Sequence, residues 1–78
     1  MPTFLRIGAL RFFFYSGDRN EPPHVHVEEG SRYAKFWLEP VRLQASSGFS
    51  RVELGKIQSL VLENKEQLLR CWDEYFND

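Results

Sequence analysis

Seventy-eight residues with 42% hydrophobic and 15% aromatic side chains make one small domain, residues 1–78, near the lower end of what a single core can stabilise. A net charge of −1 and a pI near 6.1 exclude a global field that would pull the chain to nucleic acid or membrane. The single cysteine, Cys71, excludes an intrachain disulfide and fits a reducing cytoplasm, and no apolar run is long enough for a transmembrane helix.

The charge is uneven along the chain. Residues 1–51 carry seven Lys/Arg against five Asp/Glu, and residues 52–78 carry three against six. The N-terminal part can therefore still present a basic face.

Thr3–Ile7 is short, apolar and partly β-branched, and Gly8-Ala9 punctuates it. Leu10–Tyr15 follows, rich in strand-forming aromatics. The pair predicts a hairpin turning near Gly8. Leu10, Phe12 and Phe14 would share one face, and Arg11, Phe13 and Tyr15 the other. Both faces are largely apolar, which predicts a strand inside the sheet. Ser16-Gly17-Asp18-Arg19-Asn20 is dense in turn formers and reads as a loop.

Glu21-Pro22-Pro23-His24-Val25-His26-Val27-Glu28 holds both histidines of the chain. The prolines bias what precedes them to extended geometry, and the alternation beyond them is that of a strand. His24, His26 and Glu28 then face one way, and Val25 and Val27 the other. Gly30-Ser31 suits a two-residue turn, with Arg32–Leu38 as the return strand. Parity places His24 and His26 with Tyr33, Lys35 and Trp37. It places Val25 and Val27 with Ala34, Phe36 and Leu38, a wholly apolar set. A three-residue turn would mix the two faces and is rejected.

Glu39-Pro40 interrupts the strand, Val41-Arg42-Leu43 predicts a short fifth strand, and Gln44–Gly48 reads as a turn. Ser50 and Glu53 form a capping box, with Phe49 placed to staple onto Leu54. Leu54, Ile57, Leu60 and Val61 make an apolar stripe, and Leu68, Leu69, Trp72, Tyr75 and Phe76 continue one to the end. Asn64, followed by Gln67, predicts a second cap and so two helices. The expected fold class is α+β: an antiparallel sheet of four to five strands, followed by two C-terminal helices packed on one face.

Pro22-Pro23-His24-Val25-His26-Val27, Ala34-Lys35-Phe36-Trp37-Leu38, Gly48-Phe49-Ser50 before a helix, and Trp72 near the end resemble a small prokaryotic family, domain of unknown function 4160. The opening Met1-Pro2-Thr3 and the Phe/Tyr-rich hairpin resemble it too. The family has no settled activity. Its genes often lie beside those of a second uncharacterised family, domain of unknown function 2442, so the resemblance implies a protein partner encoded by a neighbouring gene and a toxin–antitoxin-like pairing.

The residues themselves allow three chemistries on the face of His24 and His26. An interaction module, paired with such a partner or with a second copy, would use Trp37, Arg32 and Glu28 as binding residues. A metal-independent endoribonuclease would use His24, His26, Lys35 and Tyr33 as proton carriers and charge stabilisers, with RNA as substrate. A metal-binding domain would use His24 and His26, roughly 6.5–7 Å apart at Cα, for a divalent ion such as zinc. Glu28 lies about twice as far from His24 and could complete that set only on a strongly twisted or bulged strand. No cofactor is expected under the first two readings.

Overall fold

The computed structural model describes residues 3–76. Met1 and Pro2 of the opening motif lie outside the described residues. Five strands, β1 (Thr3–Ile7), β2 (Leu10–Phe13), β3 (His24–Glu29), β4 (Arg32–Leu38) and β5 (Val41–Ser47), precede two helices, α1 (Arg51–Glu63) and α2 (Lys65–Phe76). All strand pairs are antiparallel, and their order across the sheet is β1-β2-β3-β4-β5. The fold is α+β, with the helices packed on one face of the sheet.

Side-chain parity sets the layers. Val25 pairs with Phe36 and Val27 with Ala34, while His24 pairs with Trp37 and His26 with Lys35. Glu29 opposes Arg32, so Gly30 and Ser31 are the two central turn residues. Gly30 has φ +60°, a value that β-carbon crowding makes costly for other residues. The apolar set then buries against the helices: Phe12, Phe14, Val25, Val27, Ala34, Phe36 and Leu38 meet Ile57, Val61, Leu68, Trp72 and Phe76. β2 lies between β1 and β3, and both of its faces are buried, Phe12 in the core under the helices and Phe13 against Tyr15 and His26 on the other side.

β5 is longer than the sequence suggests. Gln44–Gly48 is not a turn: the strand runs on to Ser47, with Ala45 opposite Lys35 and Leu43 opposite Phe36. Gln44 has no partner between them, which is a bulge. The polar residues read as a turn because an edge strand needs no second apolar face.

Helix α1 opens with the expected box. The Ser50 side chain accepts the Glu53 N–H at 3.1 Å, and the Glu53 carboxylate accepts the Ser50 N–H at 2.7 Å. Asn64 separates the helices, but its side chain caps the first of them. Its Nδ2 donates to the Leu60 carbonyl at 2.8 Å, and its own N–H reaches the same oxygen at 3.1 Å. α2 buries Leu68, Trp72 and Phe76, one residue per turn.

Candidate functional site

The face of the sheet opposite the helices carries a second, smaller layer. Phe13 on β2 opposes His26 on β3, and their rings stack 5.4 Å apart. The chain after β2 turns back over this layer. A short 3-10 turn, Ser16–Asn20, places Asp18 above the two imidazoles, and Tyr15 lies edge-on to His26 with centroids 4.6 Å apart. The histidines thus do leave the valine side, but they do not face solvent. His24 is 0% exposed and His26 4%. Periodicity assigned the face correctly and gave no warning of a lid.

Asp18 is the residue that spacing along β3 could not find. Its Oδ2 lies 2.9 Å from His26 Nε2 and 3.1 Å from His24 Nε2, and it accepts the Tyr15 N–H at 2.8 Å. A carboxylate six residues before a His-x-His strand, across a tight turn, is the only trace of this in the sequence. Such a trace is weak, because a loop's path over a sheet leaves no periodic pattern. One ligand-capable atom from each of Asp18, His24 and His26 lies within 4.8 Å of the others. Glu28 takes no part: it is ion-paired to Arg11.

Each ring is fixed through its other nitrogen. His24 Nδ1 lies 2.9 Å from the Pro22 carbonyl oxygen, and His26 Nδ1 lies 2.9 Å from the Tyr33 hydroxyl. Glu21, at 3.7 Å from His24 Nδ1, is beyond hydrogen-bond reach. His24 Nε2 is buried and forms no hydrogen bond, although Asp18 is close, because the approach is poorly aligned.

The electrostatics follow from burial and from these contacts. Desolvation lowers the pKa of His26 below its ordinary 6.5, against the raising effect of Asp18. Burial pulls the Asp18 carboxyl upward, but the Tyr15 N–H and the two histidines outweigh it, and its pKa falls below 3.8. Burial, then the neighbouring Tyr15, Asp18 and Glu21, raises the Tyr33 phenol.

The remaining site candidates divide. Lys35 donates to Glu21 at 2.7 Å and its ammonium lies 5.0 Å from the Trp37 ring centroid. Trp37 is half-buried, edge-on to His24 with centroids 5.6 Å apart. Tyr33, Lys35 and Trp37 therefore rim the histidine layer. Arg32 does not join them. It is paired with Glu29 and Glu53, on the side where α1 begins. Trp72, expected only as core, also touches the site, its ring 5.1 Å from that of His24.

Among the described residues, no helix is long and apolar enough to cross a membrane. No curated protein and no solved structure matches the chain. Residues 9–73 match the family described as Domain of unknown function (DUF4160), and they include both histidines, Asp18, the rim residues and Trp72. The chain therefore belongs to that family.

Proposed function

We propose that this chain is a binding domain, one component of a toxin–antitoxin-like pair, which meets its partner over the Tyr33, Lys35 and Trp37 rim. The observation that favours binding over cleavage is the enclosure of the histidines. A general acid or base must come within hydrogen-bond distance of the group it serves. Here His24 and His26 lie beneath Asp18 and Tyr15, and the Lys35 ammonium is already taken by Glu21. What remains towards solvent is a half-buried indole beside a cation, the kind of patch that anchors protein interfaces. The neighbouring-gene pairing implied by the family resemblance supplies the partner: a protein of domain of unknown function 2442, in a prokaryotic cytoplasm.

Co-expression with that partner tests the reading. The two proteins are expected to co-purify, with Trp37→Ala weakening the complex by about tenfold or more. RNA cleavage by the isolated chain, lost in His26→Ala with the fold intact, would instead establish the endoribonuclease reading. Growth and RNA integrity with and without the partner then show which component is toxic.

A further inference from the structure

We infer that Asp18, His24 and His26 form a binding site for a divalent first-row transition metal ion, with zinc the leading candidate. The argument rests on which atoms carry protons. A backbone carbonyl only accepts, so the 2.9 Å contact to Pro22 places the ring proton of His24 on Nδ1. The Nε2 of the neutral ring is then a lone pair. It is fully buried, without a hydrogen-bond partner among the described residues, and 3.1 Å from a carboxylate oxygen. Two electron-rich atoms this close in a buried place repel unless a positive charge lies beside both.

A proton on Nε2 fills that role poorly. The N–H would not be aimed at Oδ2, because the approach fails hydrogen-bond geometry. The same oxygen already receives His26 Nε2 at 2.9 Å and the Tyr15 N–H at 2.8 Å. A metal ion fills it well. Ligand atoms about 2.0–2.1 Å from a tetrahedral ion lie roughly 3.3 Å from one another. The two observed nitrogen-to-oxygen separations, 2.9 and 3.1 Å, are within a few tenths of an ångström of that.

The surroundings are those of a ligand set. Metal-bound imidazoles commonly donate their second nitrogen to a carbonyl or a similar acceptor. His24 has the Pro22 carbonyl there, and His26 has the Tyr33 hydroxyl. A hydroxyl rotates, so Tyr33 donates to Nδ1 when Nε2 carries the proton and accepts from Nδ1–H when Nε2 holds a metal. Two imidazoles and one carboxylate suit zinc, nickel, cobalt or iron(II), and disfavour calcium and magnesium, which prefer oxygen donors. Three protein ligands leave a position for water or an added ligand. Asp18 belongs to the Ser16–Asn20 turn and both histidines to β3, so an ion held by all three would tie that turn to the strand.

The test uses the full chain without a histidine tag, stripped with chelator and then titrated with zinc, and with cobalt as a visible probe. One ion per chain is expected, with a melting temperature that climbs with free metal concentration. Asp18→Asn keeps size and lies in a surface turn. It is expected to weaken zinc binding by about a hundredfold, while circular dichroism stays that of the parent. Tyr33→Phe, which removes only the outer contact, is expected to cost roughly tenfold to a hundredfold. Should His24→Asn fail to fold, the Asp18→Asn result still decides the matter. The inference is overturned if the folded, stripped chain takes up none of zinc, nickel, cobalt or iron(II), or if Asp18→Asn binds zinc as tightly as the parent.

Discussion

His26 meets opposing influences within a few ångströms. Burial disfavours its charged form, Asp18 favours it, and His24 and Lys35 disfavour it further. Tyr33 adds a hydroxyl that can serve either protonation state. In metal-free protein the balance leaves the folded-state pKa below 6.5. The sign of the pH effect follows. Between that lowered value and 6.5 the unfolded chain binds a proton that the folded chain refuses, so stability falls as pH drops through this window. The Asp18 contribution has its own window: it is present above 3.8 and is lost as pH falls through the depressed folded value. Imidazole proton shifts followed by NMR are expected to give His26 a midpoint below 6.5. In Asp18→Asn, which removes the two influences that raise it, the midpoint is expected to move lower still. A midpoint at or above 6.5 in the parent, or an upward move in the variant, would show that desolvation is not the ruling cause.

At the scale of elements, two glycines with different surroundings separate backbone effects from packing. Gly48 opens the connection from β5 into α1 with φ +92°, and a β-carbon there would fall 2.8 Å from the Arg32 side chain and 3.3 Å from its Cα. Gly55, inside α1, has nothing within 4 Å of the added carbon. Gly48→Ala is therefore expected to destabilise by more than about 1 kcal/mol, and Gly55→Ala to stabilise by about 0.5–1 kcal/mol. Urea unfolding of the two variants checks both signs. Equal effects from the two would mean that the Arg32 approach and the backbone angle at Gly48 carry no energetic weight. The same contrast explains what sequence could reveal. Alternation through Val25, His26 and Val27 fixed the faces of β3 and β4, because a one-residue slip would have exposed the valines. The Ser50/Glu53 box marked the start of α1, because capping chemistry is local. Asp18 escaped, because its role depends on where a loop lands. So did the length of β5, whose polar residues pair with β4 on one side only, and the pairing of Arg32 with Glu53, 21 residues away.

For the whole molecule, the decisive feature is a sheet covered on both sides by what a short chain has left. Each strand pairs with its sequence neighbour, so the sheet assembles from hairpins. The helices then cover one face, and the segment between β2 and β3 covers the histidines on the other. Among the described residues, Arg19 and Trp72 join the layers. Arg19, beside Asp18 in the same turn, donates to the Phe76 carbonyl at 2.6 Å. Trp72 packs against Phe14 and Phe76 in the core, with centroids 5.2 and 4.3 Å away, and against His24 at 5.1 Å. A domain of this length has a total stability of roughly 4–12 kcal/mol. Removing a buried aromatic costs about 3–5 kcal/mol. Trp72→Ala is thus expected to lose about 3–5 kcal/mol, between a quarter and all of that stability, whereas Trp72→Phe, which keeps a ring among Phe14, Phe76 and His24, is expected to fold with a smaller loss. In the Phe variant the His24 imidazole resonances should move, while methyl resonances of Val27 on the sheet stay in place. Thermal unfolding and NMR of the two variants test the joint. A loss below about 1 kcal/mol in Trp72→Ala, or an unmoved His24 in Trp72→Phe, would mean that the helix layer and the histidine layer are independent, and that the site is held by its own turn alone.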